Sequence, residues 1–322
     1  RSKEDIRDGW NVTTEGFLNV HKPVGMTSHD VVSVVRRALG VRRVGHAGTL
    51  DPGASGVLPV AVGKATRLIE YITDTDKEYE AVVEFGYETD SGDLDGQIVA
   101  RSDAPPPEKE TLLRACAAFE GVIAQIPPMH SALKVNGKKL CNLARQGIVV
   151  ERPMRQITIH ALELLAYDGA KARLRIVCSK GTYIRVLCAD LARAVGCLGV
   201  MTELCRTRVG QFSLKDGVSL DEIREKQEQL LQPIPKAIAH LPQLLLDEAQ
   251  SRAFCLGQKQ WLEPNCVTSE IVRVCERADE SLLGIGRVAQ QDALWQLAPH
   301  KVLAAPQQKE QMAEEEHGFA DI

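Results

Sequence analysis

The chain has 322 residues, 44% hydrophobic and 25% charged, which excludes a disordered polypeptide and provides core for one large domain or two unequal ones. No apolar run reaches the roughly 18 residues of a membrane-spanning helix, and Arg1 to Thr14 is polar, without the apolar stretch of a secretory signal. A cytoplasmic protein without membrane contact is expected. The net charge of −4, from 39 basic and 43 acidic residues, does not advertise a nucleic-acid binder, because such affinity rests on phosphate neutralisation.

Residues 1–15 read as a disordered leader, and 306–322, with Glu310, Glu314, Glu315, Glu316 and Asp321, as a disordered acidic tail. Val31, Val34, Val35 and Leu39 recur at helical spacing, and Gly40 is placed to end that helix. Tyr79, Ala81, Val83 and Phe85 alternate with Glu80, Val82 and Glu84 as in a half-buried strand. Residues 101–110 carry three consecutive prolines and read as a loop. Strands are predicted at Ile157–Leu164 and Ala172–Cys178. A helix stripe follows at Leu187, Leu191, Ala194 and Val195, stopping at Gly196. Polar residues 221–235 lead to a boundary near 240. Beyond it come a short helix at Asp247–Leu256 with Gly257 as its cap, then strands at Ile271–Cys275 and Leu282–Val288.

Strands and helices mix without regular βαβ alternation, so the fold class is α+β with a largely antiparallel sheet. The expected organisation is a leader at 1–15, a catalytic domain at 16–240, a small β-rich domain at 241–305 and a tail at 306–322.

Nine cysteines lie scattered without a CxxC pair, which argues against a zinc site and a disulfide framework and favours free buried thiols. Gly63-Lys64-Ala65-Thr66 is no phosphate loop, since Ala follows the lysine. Gly53-Ala54-Ser55-Gly56-Val57 lacks the second glycine of a nucleophile elbow. Asp93-Leu94-Asp95-Gly96 fails as a calcium loop because Ser102 stands at its twelfth position. HExxH and the zinc deaminase pattern are missing. No metal and no cofactor are therefore expected. Charge is uneven: residues 121–147 hold Lys134, Lys138, Lys139 and Arg145 and no acid, and Arg36, Arg37, Arg42, Arg43 and His46 form a second basic group. These are either solvated faces or phosphate contacts.

The stretch Gly45-His46-Ala47-Gly48-Thr49-Leu50-Asp51-Pro52-Gly53-Ala54-Ser55-Gly56-Val57-Leu58-Pro59 crowds glycines and prolines around one carboxylate. Glycine permits conformations barred to other residues, and Pro52 pushes Asp51 out of the helical region. Either a fixed loop presents Asp51, or Asp51 serves an Asx-type β-turn.

Taken with its neighbours, this segment resembles the TruB family of tRNA pseudouridine synthases. The family's opening element appears as Leu18-Asn19-Val20-His21-Lys22-Pro23-Val24-Gly25-Met26-Thr27-Ser28-His29-Asp30. Its Lys-x-Tyr strand appears as Lys77-Glu78-Tyr79, and its Gln-x-Pro-Pro block as Gln125-Ile126-Pro127-Pro128-Met129-His130-Ser131-Ala132-Leu133-Lys134, continuing to Leu143-Ala144-Arg145-Gln146-Gly147. Its late signature appears as Ser179-Lys180-Gly181-Thr182-Tyr183-Ile184-Arg185. The matches run in order from about residue 16 to 213. Two positions depart from the family pattern: His130 and Cys141 stand where relatives carry tyrosine.

The resemblance implies a pseudouridine synthase fold, with a central mixed, largely antiparallel sheet flanked by helices and a small C-terminal β-rich, PUA-like RNA-binding domain. It implies cofactor-free isomerisation of the T-loop uridine of tRNA (position 55) by base flipping, with the tRNA T arm as partner and the protein a monomer. Asp51 matches the catalytic aspartate and Arg185 the arginine that pairs with it, a partner that favours the charged carboxylate a nucleophile needs. Tyr79 matches the tyrosine that stacks on the flipped base and assists proton removal. Tyr183 and Leu204 match residues lining the uracil pocket, and His46 a histidine that inserts into the T-loop. Taken singly, Tyr79 and Leu204 read more readily as core, and Arg185 as a structural ion pair; only the joint pattern assigns them to the site. Two other activities fit the same pattern: a guide-RNA-dependent synthase, disfavoured by chain length and by Thr27-Ser28-His29-Asp30, and a non-catalytic RNA-binding or tRNA-folding protein, for which Asp51 and Arg185 would be superfluous.

Overall fold

The computed structural model of the protein describes residues 6–304, apart from 8–9, 12–13, 130, 132, 136, 141–142, 144–145, 147, 149, 263–268 and 292–293. Within the expected leader, Ile6–Arg7 pairs with Trp10–Asn11. The acidic tail, His130, Cys141 and Arg145 lie outside the described residues, as do the side chains of Lys134, Lys138 and Lys139. By its internal contacts the chain divides into two compact units, Arg1–Gln232 and Pro233–Ile322.

The first unit is built on one mixed sheet. Its strands are β1 (Gly16–Lys22), β2 (Val44–His46), β3 (Ser55–Val62), β4 (Lys77–Phe85), β5 (Gly121–Gln125), β6 (Arg155–Tyr167), β7 (Lys171–Cys178), β8 (Gly199–Val209) and β9 (Phe212–Ser213). Their spatial order is β1-β3-β8-β4-β7-β6-β5, with β2 beside β3 and β9 beside β8. The pairs are antiparallel except β3 with β8, which run parallel at Ser55–Gly56 and Cys205–Arg206. The expected α+β class, with its largely antiparallel sheet, is the observed one.

Local chemistry explains the flanking helices. In α1 (Ser28–Leu39), Thr27 caps the first turn and Asp30 returns the bond to the Thr27 N–H. Its valines and Leu39 are buried, and Gly40 ends it in the left-handed conformation at φ 59°. The unit also carries α2 (Lys109–Ala118), α3 (Ile184–Ala194) and α4 (Leu220–Lys226), besides a short helix at Ile69–Thr73. One continuous core joins α1 and α3 to the inner faces of β4 and β7, where Tyr79, Ala81, Val83 and Phe85 alternate, as do Ala172, Leu174, Ile176 and Cys178. Each such fully buried aliphatic side chain contributes about 1.5–3 kcal/mol.

Four sequence expectations need correction. The glycine-rich loop is shorter than 45–59, because β2 and β3 claim its ends; everything in β3 after Ser55 is buried, so no alternation betrays it. The proline loop shrinks to 102–108, since Ile98–Arg101 pairs with Tyr87–Thr89 and α2 starts at Lys109. The strand expected at Ile157–Leu164 extends to 155–167. The polar stretch at 221–235 contains most of α4, whose Ser219–Glu222 capping box starts it.

The second unit carries its own sheet of β10 (Gln243–Leu246), β11 (Gln260–Leu262), β12 (Ile271–Glu276), β13 (Leu282–Gln291) and β14 (Leu294–Val302), in the order β10-β12-β13-β14-β11. Helix α5 (Glu248–Cys255), capped by Asp247, buries Phe254 in a separate core with Leu246, Val272, Val274 and Leu297. No helix among the described residues is long and apolar enough to cross a membrane.

Candidate active site

Residues 47–54 connect β2 to β3, and hydrogen bonds hold the main chain at most of them. Gly48 adopts φ 99°, open to glycine. The Gly48 carbonyl accepts from Arg206 Nη2 at 2.9 Å and the Thr49 carbonyl from Nη1 at 3.5 Å. The Ser28 hydroxyl brackets Leu50, donating to its carbonyl at 3.0 Å and accepting its N–H at 2.8 Å. The Asp51 carbonyl accepts from Ala54 N–H at 3.1 Å, and the Pro52 carbonyl from Gly25 N–H at 2.8 Å and Lys22 Nζ at 3.5 Å. Fixing one residue costs about 1–2 kcal/mol of conformational entropy, and a hydrogen bond returns about 1 kcal/mol. A loop without regular structure therefore needs about one bond per residue to hold still, and this one has them.

The loop presents Asp51 half-exposed, at 44% of its side-chain surface. Its Oδ2 lies 3.2 Å from Nη2 of Arg185, itself only 7% exposed in the first turn of α3. Arg185 Nη1 reaches Asp93 Oδ2 at 3.2 Å and donates to the Ser91 carbonyl at 2.9 Å. The Ser91 hydroxyl in turn donates to Asp93 Oδ1. Arg185 is thus a buried cation shared by two carboxylates, of which the more exposed is Asp51. Upstream, the buried Gln125 side chain donates to the Tyr183 carbonyl at 3.1 Å and accepts the Tyr183 N–H at 2.8 Å, fixing the entry into α3.

Cations surround the loop. Lys22 is fully buried, with Nζ on the carbonyls of Pro23 and Met26 at 2.8 and 2.7 Å. Burial pulls its ammonium down to about 8, against the opposing attraction of Asp51. Arg206 is 2% exposed and also donates from Nε to the Val57 carbonyl at 2.8 Å. On β8 it stands in register with Tyr79 of β4, whose side chain is a buried phenol. Burial raises that phenol above its ordinary range, and Arg206 acts in the opposite sense. His46, at the end of β2, has its imidazole held below the usual value by burial and then by Arg206. Its Nδ1 is enclosed without a partner among the described residues.

The residues singled out from sequence therefore fall in one neighbourhood. Asp51 and Arg185 touch directly, and Tyr79 stands in register with Arg206, whose side chain holds the loop. His46 leads into the loop, and Tyr183 precedes Arg185 by two positions. Leu204 packs half-buried against the core, opposite Ala81 and two residues before Arg206. Sequence reasoning missed Asp93, Ser28, Lys22, Gln125 and Arg206. Lys22, Ser28 and Gln125 stood inside motifs already quoted, whereas nothing local marks Asp93 or Arg206, which reach the site from distant strands and turns. No cluster of three metal-ligating side chains occurs among the described residues.

Three family models match in order along the chain: TruB family pseudouridylate synthase (N terminal domain) at residues 36–184, tRNA pseudouridylate synthase B C-terminal domain at 185–241, and Pseudouridine synthase II TruB, C-terminal at 242–303. The chain is 43% identical over 294 residues to tRNA pseudouridine synthase B of Heliobacterium modesticaldum, covering 89% of this chain and 95% of the relative. It is 47% identical over 239 residues to the protein of the same name from Dehalococcoides mccartyi, covering 73% and 80%. Among solved structures, a chain of a Cbf5-Nop10-Gar1 complex superposes with a TM-score of 0.72 at 26% identity, covering 91% of this chain and 86% of that one. A chain of the archaeal box H/ACA sRNP Nop10-Cbf5 complex shares the fold, with a TM-score of 0.68 at 24% identity. Ordered model matches over both units and close relatives along most of the length make this chain a member of the TruB family of pseudouridine synthases.

Proposed function

We propose that this protein isomerises uridine to pseudouridine at position 55 in the T-loop of tRNA, with Asp51 as its catalytic carboxylate and no cofactor. The reaction breaks the bond from C1′ to N1 of uracil and forms one from C1′ to C5; the hydrogen lost from C5 is balanced by one gained at N1. No atom or electron is supplied from outside. The observation that carries the reading is the half-exposed Asp51 on an immobilised loop, with the buried Arg185 behind it. Such an arrangement offers an oxygen outward while its geometry stays set, the condition under which positioning accelerates a reaction.

A stacked uridine cannot reach this carboxylate, so the base leaves the stack and His46 fills the gap. Tyr79 stacks on the extruded uracil and assists removal of the C5 proton, Tyr183 and Leu204 line its pocket, and Arg185 holds Asp51. Recognition is of the folded T arm, by shape and phosphate contacts from the basic stretches. The protein acts in the cytoplasm as a monomer. The names of its relatives support tRNA as the substrate class.

The test is incubation of the purified chain with an unmodified tRNA transcript, without guide RNA or cofactor, followed by carbodiimide-blocked primer extension. A stop at the T-loop uridine supports the reading; tight tRNA binding without a stop refutes it. The likeness to Cbf5 favours a guide-directed synthase as the second reading, and modification appearing only with an added guide RNA would establish it.

A further inference from the structure

We propose that Gln125 is a positioning residue: its side-chain amide fixes the main chain of Tyr183 where α3 begins, and so places both the Tyr183 ring and the Arg185 guanidinium that holds Asp51. The inference rests on the function proposed above. Gln125 ends β5, the last strand of the sheet, and pairs there with Arg155 of β6. Tyr183 is extended, at φ −101° and ψ 106°, and an extended residue can exchange both its N–H and its carbonyl with a ladder partner. Here the Gln125 side chain is that partner. Its Oε1 accepts the Tyr183 N–H at 2.8 Å, and its Nε2 donates to the Tyr183 carbonyl at 3.1 Å. The residue is only 3% exposed. A primary amide carries donor and acceptor together, as a peptide does; an ionised carboxylate only accepts, and a thioether does neither well.

The two bonds sit at the join between two parts of the site. Tyr183 is the N-cap residue of α3, yet its side chain makes no capping bond, so the usual serine, threonine or aspartate cap does not set the start of the helix. Its carbonyl also accepts the Leu187 N–H at 3.0 Å, opening the helical ladder. The preceding turn is anchored at its far end: Ser179 donates its N–H to the Thr158 carbonyl, and its hydroxyl accepts the Thr158 N–H, both at 2.9 Å. Lys180 and Gly181 between the anchors are exposed, so Gln125 holds the end nearest the site. Two residues on, Arg185 reaches Asp51 and Asp93 at 3.2 Å each. A shift of the Tyr183 main chain moves the first turn of α3, and the ring and the guanidinium move with it. The Asp51 loop is held by Ser28 and Arg206 instead. Loss of the amide therefore misplaces the carboxylate's partner and the pocket wall while the loop stays put.

The experiment measures single-turnover pseudouridine formation and tRNA affinity for Gln125→Met and Gln125→Glu from pH 5.5 to 8, each rate divided by the parent's at the same pH. We expect the Met variant to lose about 100-fold in rate at every pH, as for a small misplacement of a reacting group, with affinity within about 2-fold of the parent. The Glu variant should match that loss at pH 8, where its carboxylate faces the Tyr183 carbonyl without a donor. It should recover as the pH falls, because the protonated carboxyl restores both bonds and burial favours that form. A folded Met variant at the parent's rate, or a Glu variant no faster than Met at any pH, overturns the proposal. Should the Met variant fail to fold, the pH profile of the Glu variant decides it, recovery at low pH supporting the proposal and a flat profile refuting it. Absence of pseudouridine with the parent protein would defeat the proposed function instead. The connection is then read from 15N spectra: the Arg185 Nε–H resonance must move between the parent and Gln125→Glu at pH 8, and an unmoved resonance refutes it.

Discussion

Replacing Ser28 by alanine asks how much of the chemistry depends on the stillness of the Asp51 loop. Ser28 is 2% exposed, and its hydroxyl makes both of its bonds, at 3.0 and 2.8 Å, to the main chain of Leu50, the residue before Asp51. Alanine deletes one oxygen and orphans a buried N–H and a buried carbonyl together. Each orphan costs about 1–3 kcal/mol if it stays buried and about 1 kcal/mol if water replaces the lost partner. The combined expectation is a loss of about 2–4 kcal/mol in stability. If the loop moves to relieve that cost, Asp51 moves with it, and a displacement near 1 Å costs about 100-fold in rate. The energy is therefore paid in one observable or the other. Urea unfolding followed by circular dichroism reads the first, and single-turnover pseudouridine formation with excess enzyme reads the second. A variant within about 0.5 kcal/mol of the parent and equal to it in rate refutes the reasoning.

Arg185→Met leaves Asp51 and the more enclosed Asp93 facing one another without their cation. Breaking a buried pair costs about 3–5 kcal/mol, and the half-exposure of Asp51 puts the effect at the lower end; thermal unfolding should show it, together with loss of product, and a variant near the parent in both contradicts the site. The Lys22 ammonium, brought down to about 8 from its ordinary 10.5 by burial, binds fewer protons folded than unfolded between those values. Its contribution to stability is complete above 10.5 and lost as the pH falls through about 8, a span worth about 3 kcal/mol. The stability of the parent relative to Lys22→Met should therefore grow from pH 8 to 10.5 in urea titrations, and a flat or shrinking gap contradicts the burial argument. Burial pushes the thiols of Cys116 and Cys178 up to about 11 and that of Cys188 up to about 12. Native iodoacetamide labelling at pH 8, mapped by mass spectrometry, should spare these three and reach the half-buried Cys205 and Cys255 before them; early labelling of Cys188 would contradict the packing of α3.

Legibility from sequence followed the physics of each element. Helix α1 announced itself through its valine spacing and Gly40, and β4 and β7 through alternation, because each buries one face only. Strand β3 was hidden because both of its faces are covered, so Val57 to Val62 carries no period and Pro59 argues for a loop. Helix α4 was hidden by its polarity, although Ser219 and Glu222 carry the capping signal. In the site, the glycine and proline chemistry around Asp51 is local but fits a fixed loop and an Asx turn alike, and it was the resemblance to the TruB family that singled out the carboxylate. Asp93, drawn to Arg185 from a turn remote in sequence, read only as a failed calcium loop. Arg206 opens the polar run Arg206-Thr207-Arg208, and its near-complete burial becomes apparent only from the pairing of β8 with two partners at once. Contacts made across the sheet leave no mark on the segment that makes them.

The most direct measurement compares the parent protein with Asp51→Asn on one unmodified tRNA transcript, reading pseudouridine at the T-loop uridine and tRNA affinity side by side. The substitution keeps the size of the side chain and its place on the loop, and removes its charge. The account predicts full modification by the parent, none by the variant and similar affinity for both. Pseudouridine formed by Asp51→Asn at the parent's rate would contradict the assignment of the chemistry to this carboxylate.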